Sequence, residues 1–356
     1  NQQSCMRSLI VPMAGRSTRF PKLRPKWMLS HPMTNRMMVT EAISGLNLDF
    51  FDNIYFLCLQ EHEDKYSFMK GFVAELDDAG LRAKSNIVLL PEQTDSQSET
   101  VYTFLSGYDL DGFIFIKDSD GFYRCDVEER NQVAYFDLND MDDINARTKS
   151  YVDLDVNDVV TNIVEKKVIS STFSSGGYGF ADAKEFCKTF EKLQDMDGEC
   201  YISHIIFEMM LSGSTFYGTK TTDFKDWGTL DAWNKYKSQY KCLFVDIDGT
   251  LITNSSHHFP PYTGSGEPIE DNIDLLAELH EQGKAKIILT TSRPERLRQL
   301  TIQELQTKGI PFDELVMGLP HCQRIVINDF ARSNPYPSCS AINIPRNENN
   351  LTEFLS

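Results

Sequence analysis

An α/β fold in two successive parts is what this sequence predicts, and three observations predict it. Short apolar runs alternate with segments of helical spacing through the first half of the chain, the same alternation starts afresh at Lys241, and several apolar runs end abruptly in carboxylates, hydroxyls or glycine. The alternation belongs to a sheet covered on both faces by helices. The abrupt endings mark the strand ends as the places to look for chemistry.

Residues 8–13 read as the first strand, and the apolar runs 53–59, 86–90 and 112–117 read as further buried strands. Residues 63–79 have helical spacing, whereas 133–137 and 159–169 read as added strands. In the second part, Ile269, Ile273, Leu276 and Leu279 fall on one helical face, and Gly283 supplies the stop. The division between the parts is placed after residue 238, giving domains 1–238 and 239–356.

With 356 residues and 41% hydrophobic content, each part can bury a core. A formal net charge of −17 disfavours a nucleic-acid partner, because binding a phosphate backbone needs clustered Lys and Arg. Small phosphorylated substrates bound with Mg²⁺ remain compatible with it. Eight cysteines are scattered without a Cys-x-x-Cys pair, which suggests neither zinc nor a disulfide framework and fits a reducing cytoplasm. No apolar run approaches membrane-spanning length, and the start Asn1-Gln2-Gln3-Ser4 lacks the pattern of a signal peptide, so no membrane partner is expected.

The run Phe244-Val245-Asp246-Ile247-Asp248-Gly249-Thr250-Leu251 sets two carboxylates on one side of a strand end. Two like charges this close repel unless a cation lies between them or one takes up a proton, and Mg²⁺ is the economical answer. Asp246 then suits attack on a phosphate monoester, and Asp248 suits protonation of the leaving oxygen and activation of water. An ordinary Asp-Gly turn would read the same in isolation. Downstream, 286–290 ends in Thr291-Ser292-Arg293-Pro294, and 324–328 is expected to be another buried strand, ending at Asp329.

Together these runs resemble the motifs of the haloacid dehalogenase-like phosphatases. The resemblance implies a Rossmann-like second domain, with Asp246, Asp248 and Asp329 around Mg²⁺ and Thr291 and Ser292 on the phosphate; the family's phosphate-binding Lys is not evident, and Arg324 is the candidate for it, ahead of Lys308 and His321. Asn328 stands where the family commonly has a second acid. Residues 255–266, which include His257 and His258, look like a small flap instead of a folded cap, so access would be limited by the flap, the first domain, or a partner copy in a homo-oligomer.

At the other end of the chain, Ala14-Gly15-Arg16-Ser17-Thr18-Arg19 follows the first strand, and Pro25-Lys26 comes shortly after. Small residues let backbone N–H groups approach phosphate oxygens, while Arg19 and Lys26 offer positive charge. Later, 113–117 leads into Asp118-Ser119-Asp120, a Glu165-Lys166 pair follows an apolar run, and Asp226-Trp227-Gly228-Thr229 forms a turn. In order and approximate spacing these segments resemble the nucleotidyltransferases that make nucleotide-sugars and related activated alcohols, over about residues 7–238. Ser17 replaces the family's second glycine.

That resemblance implies a mixed sheet of the GT-A, Rossmann-like type. It implies Asp120 (or Asp118) and Asp226 as Mg²⁺ ligands, Ala14, Gly15, Arg16 and Ser17 around the nucleotide, and Glu165 and Lys166 on the acceptor, with Gln93 and Glu92 near the base or in a plain loop. The compact first part leans toward CTP and a small phospho-alcohol or simple sugar phosphate. The whole chain is therefore expected to be a bifunctional cytoplasmic enzyme, a nucleotidyltransferase joined to a phosphatase, in the synthesis of surface (capsule) polysaccharide precursors; the alternatives are a phosphatase whose first domain only senses nucleotide, and a nucleotidyltransferase with an inactive phosphatase-like tail.

Overall fold

In the computed structural model, which describes residues 6–15, 24–140, 149–254, 266–332 and 336–355, the chain divides into two units, 1–233 and 234–356. The strands of the first unit are β1 (Arg7–Pro12), β2 (Asn53–Leu59), β3 (Ser85–Leu90), β4 (Phe113–Lys117), β5 (Gly121–Arg124), β6 (Gln132–Asp137), β7 (Ser150–Leu154), β8 (Val160–Glu165), β9 (Thr172–Phe180), β10 (Tyr217–Lys220) and β11 (Thr222–Asp226). Its helices are α1 (Met38–Ile43), α2 (Gln60–Tyr66), α3 (Met69–Asp78), α4 (Gln97–Gly107), α5 (Ala183–Lys192) and α6 (Ile202–Leu211), and α7 (Leu230–Ser238) follows.

The main sheet runs β10-β6-β9-β4-β1-β2-β3, with β7 and β8 attached through β9. Strands β1 to β4 pair in parallel, while β9 runs antiparallel to both β4 and β6, so the sheet is mixed. Alternation of side chains explains why β1 and β4 are apolar throughout. Leu9, Val11, Phe113 and Phe115 enter one core with residues of α1 and α3, whereas Ile10, Ile114 and Ile116 enter the other with residues of α4, α5 and α6.

Two expected elements come out shorter. The helical stretch 63–79 breaks at Ser67, whose φ is 49°, and Phe68 and Phe72 on either side of the new helix start both pack against Trp27. The strand expected over 159–169 stops at Glu165, because Lys166 takes a φ of 55° that leaves the extended region.

The second unit holds β12 (Lys241–Asp246), α8 (Glu270–Glu281), β13 (Ala285–Thr290), α9 (Arg298–Thr307) and β14 (Glu314–Val316). The strands form a parallel sheet in the order β12-β13-β14, and Asp246 lies opposite Thr290. Ile273 and Leu276 of α8 are buried, and Gly283 stops the chain's helical course with a φ of +69°. The buried strand expected over 324–328 is not there. That segment is irregular, with Ile325, Val326 and Ile327 exposed, the last by 92%. An apolar run becomes a strand only when an edge pairs with it, and among the described residues β12 pairs with β13 alone. The second unit is thus a small parallel α/β sheet.

No helix among the described residues is long and apolar enough to cross a membrane. No described cysteine is disulfide-bonded.

Candidate active site

The site of the first unit begins where β4 ends. Lys117, fully buried, donates to the carbonyls of Asp118 and Gly121 at 2.8 Å each and lies 4.6 Å from the centre of the Tyr123 ring. Its ammonium thereby ties together the turn that carries Asp118, Ser119 and Asp120. Burial pushes Lys117 down to about 8. Asp118 accepts from Gln97 Nε2 at 2.6 Å, and its N–H donates at 2.9 Å to the carbonyl of Gly176, whose φ is +93°. A Cβ there would lie 2.4 Å from Asp118 Oδ2, so both backbone angle and space demand glycine.

Asp120 and Asp226 are brought together by backbone pairing. Asp226, the last residue of β11, lies opposite Gly121 of β5, and the Trp227 N–H donates to the Asp120 carbonyl at 3.0 Å. Each carboxylate holds a lysine: Lys26 Nζ is 2.6 Å from Asp120 Oδ2, and Lys149 Nζ is 2.6 Å from Asp226 Oδ2. The Gly228 N–H adds a bond to Asp226 Oδ1 at 2.9 Å. Burial raises Asp118 above the usual carboxylate range, with the charge of Asp120 adding to it. Burial acts the same way on Asp120, but Lys26, Lys117 and Lys149 outweigh it and hold that carboxyl below the usual range.

Beside this cluster lie the acceptor-side candidates. Glu165 Oε2 accepts from the hydroxyls of Ser150 and Ser203, the latter at 2.9 Å. Lys166 Nζ donates to the Tyr201 hydroxyl at 2.8 Å and sits 4.7 Å from that ring's centre. Gln93 is half-buried in the loop between β3 and α4. Ala14 is buried and Gly15 exposed just beyond β1, while Arg16, Ser17 and Arg19 lie outside the described residues.

Among the described residues, no group of three or more His, Cys, Asp or Glu side chains gathers as a metal site. Two oxygen-donor carboxylates at one strand end nevertheless fit Mg²⁺, which is commonly held by one or two carboxylates and completed by water and substrate phosphates. The lysines already at Asp120 and Asp226 show that positive charge is accommodated there.

In the second unit, Asp248 is gripped by Arg293, whose Nε and Nη2 donate to the two carboxylate oxygens at 2.9 and 2.8 Å. Arg293 is only 3% exposed, and its Nη1 reaches Glu304 at 3.0 Å. Asp246 lies at the end of β12, 3.7 Å from Arg324 Nη1. Arg324 Nη2 also donates to Ser292 Oγ at 3.2 Å. Burial raises Asp246 above the usual carboxylate range, although Arg324 opposes it. Thr291 is buried, its hydroxyl accepting from the Arg293 N–H at 3.0 Å. Asp329, on the exposed segment 319–332, bonds with its neighbour Asn328 at 3.4 Å and does not join Asp246 and Asp248 in a metal-ligating group. Residues 255–265 lie outside the described residues.

Three residues escape motif reading. Gln97 and Arg293 act through partners far away in sequence. Lys149 comes to lie against Lys166 because the β7–β8 register shifts by one residue between Asp153 and Leu154, which sets Ser150 against Glu165 where plain counting from the turn would set it against Val164.

No protein-family model and no curated protein matches this chain. Solved structures do. A nucleoside-diphosphate-sugar pyrophosphorylase from Vibrio cholerae RC9 superposes with a TM-score of 0.54 at 19% identity, over 65% of this chain and 99% of that one. The inositol-1-phosphate CTP transferase from T. maritima gives 0.50 at 13% identity, over 66% and 96%. A UDP-glucose pyrophosphorylase complexed with UDP-glucose gives 0.51 at 13%, over 65% and 97%. Residues 234–356 are about a third of the chain, so matches of this extent have to draw on the first unit. The first unit has the nucleotidyltransferase fold. Asp120 and Asp226 meet at the end of the β5–β11 pair, a two-stranded sheet separate from the main one, just after the end of β4.

Proposed function

We propose that residues 1–238 transfer a nucleotidyl group from an NTP, with CTP favoured, to the phosphate of a sugar phosphate or small phospho-alcohol. The observation that carries this reading is the pairing of Asp120 with Lys26 and of Asp226 with Lys149 at one strand end. The fold supports it, since it is shared with proteins described as pyrophosphorylases and a CTP transferase.

In this reaction a phosphate oxygen of the acceptor forms a bond to the α-phosphorus, and the bond from α-phosphorus to the bridging oxygen breaks, releasing pyrophosphate. Positioning and charge neutralisation supply most of the catalysis. Lys26, with Arg19, neutralises the triphosphate. Ala14, Gly15, Arg16 and Ser17 hold the nucleotide by backbone N–H groups, and Gln93 faces the base. Glu165 and Lys166 hold the acceptor, Glu165 being fixed by two hydroxyls and Lys166 by Tyr201. Mg²⁺ at Asp120 and Asp226 would neutralise phosphate charge. A pyrophosphate-release screen with four NTPs and a panel of phosphorylated sugars and alcohols tests the reading. One productive pair, lost in Lys26→Ala, is expected, and silence of the unaltered protein across the panel overturns it.

A second reading adds Mg²⁺-dependent phosphomonoester hydrolysis by residues 239–356, with Asp246 as nucleophile. The convergence of Asp246, Ser292 and Arg324 favours it, since a cation and a hydroxyl beside a carboxylate suit a phosphoryl group. It requires Asp248 to part from Arg293 and Asp329 to approach. Phosphate release from monoesters that persists in Asp246→Asn rules it out.

A further inference from the structure

Lys149 stands where the two halves of the candidate site meet. Its backbone carbonyl accepts from the Lys166 N–H at 2.9 Å, and the hydroxyl of the next residue, Ser150, donates to Glu165. Its side chain points to the other half, reaching Asp226 at 2.6 Å. The ammonium lies 5.4 and 6.0 Å from the ring centres of Phe224 and Phe173, which flank it. Only 14% of the side chain is exposed. An ammonium and a divalent cation cannot both use the same carboxylate lone pairs at contact distance, and like charges repel there. Binding a divalent cation at Asp226 therefore turns Lys149 toward the nearest anion, and on the nucleotidyl-transfer reading, which gives the metal to Asp226 and the acceptor to Lys166, that anion is the acceptor phosphate.

We propose that Lys149 is a further catalytic residue of this site, exchanging its bond to Asp226 for one to the acceptor's phosphate oxygens when a divalent cation binds. The inference rests on the nucleotidyl-transfer reading. It makes cation and phosphate binding mutually supportive: the cation frees Lys149, and the phosphate gives it a new partner.

The test uses the full chain, unaltered and as Lys149→Met and Lys149→Arg, with Mn²⁺ alone followed by electron paramagnetic resonance, then inorganic phosphate titrated at saturating Mn²⁺. Removing the competing ammonium should tighten Mn²⁺ binding in Lys149→Met by about tenfold or more, since repulsion at contact distance through an effective dielectric near 20 exceeds a tenfold effect. Phosphate affinity at saturating Mn²⁺ should fall by about tenfold or more in Lys149→Met and return in Lys149→Arg. A role in packing alone would move neither affinity in these directions. Unchanged Mn²⁺ affinity, or unchanged phosphate affinity, overturns the proposal. The pyrophosphate-release screen on the same preparations separates the two ideas. Transfer by the unaltered protein with no shift in either affinity sinks only the role of Lys149, whereas both shifts without any transfer sink the nucleotidyl-transfer reading and leave Lys149 as a phosphate-binding residue.

Discussion

Two carboxylate sites stand at strand ends in this chain, and they are neutralised in opposite ways. In the first unit Asp120 and Asp226 each meet one lysine, a point charge on a flexible stem that can leave for another anion. In the second unit Asp248 is held by both donors of a buried arginine fork, and the same arginine binds Glu304. A lysine partner keeps a carboxylate available for chemistry. A buried bidentate arginine makes it part of the architecture, because separating the pair would strand charge in a low dielectric. The comparison shows that two acids in a motif do not by themselves reveal which will react; the cation opposite each one does.

The largest expected effect tests the architectural side. Arg293→Met removes the hydrogen bonds that Arg293 makes to both Asp248 oxygens and one partner of Glu304, which still meets Lys308 at 3.2 Å. Breaking one side of a buried pair typically costs about 3–5 kcal/mol. Urea unfolding should show that loss, and a change under about 1 kcal/mol would mean that Asp248 is as free as the lysine-paired acids. Lys26→Ala tests the other side. Transfer should fall by about 10²–10³ in kcat/KM, the usual result of removing one transition-state donor. Stability should move by no more than about 1 kcal/mol, as for a partly exposed pair. Loss of folding in this variant, without a specific loss of transfer, would erase the distinction.

Gly176→Ala probes how the first site holds its third acid. The added Cβ meets the Asp118 carboxylate at 2.4 Å and forces a backbone angle that residues with side chains rarely adopt. We expect a loss of about 1–3 kcal/mol in thermal unfolding, together with lowered transfer. Full activity in this variant would show that the position of Asp118 is not needed.

The sheet of the first unit was legible because its strands are apolar on both faces and bounded by carboxylates and glycine, as in 113–117 followed by Asp118. Asp120, Asp226, Lys26, Glu165 and Lys166 could be named from motifs that resemble a known family; in the structure Asp120 pairs with Lys26, and Asp226 pairs with Lys149, whose carbonyl accepts from the Lys166 N–H. Lys149 was not named, since its position depends on a hairpin register and on β11, more than seventy residues away in the chain, as the separation of 77 between Lys149 and Asp226 records. In the second unit 286–290 reads correctly as β13, but 324–328 does not form a strand. Its Ile-Val-Ile run carries the local preference for one, and pairing with an edge, which no local pattern encodes, decides the outcome.

The smallest effect comes from an acid whose partners are exposed. Asp313 accepts from the Ile287 N–H at 2.7 Å and meets His280 Nε2 at 3.0 Å. Burial alone would raise its pKa, yet the bonds from Ile287 and His280 outweigh burial and hold it below the usual carboxylate value. A folded-state pKa below the unfolded one means that the unfolded chain binds the proton more tightly. The stabilisation is therefore present above the ordinary Asp value near 4 and is lost as pH falls through the lower folded value. With about a third of both side chains exposed, solvent screening limits the effect to about 0.2–1 kcal/mol. Urea unfolding of Asp313→Asn against the unaltered protein should differ by that amount at pH 7 and converge in strong acid. A difference as large as that expected for Arg293→Met would show that exposure does not separate carboxylates that can change partner from carboxylates that are fixed, and the contrast between the two units would then rest on the choice of lysine or arginine alone.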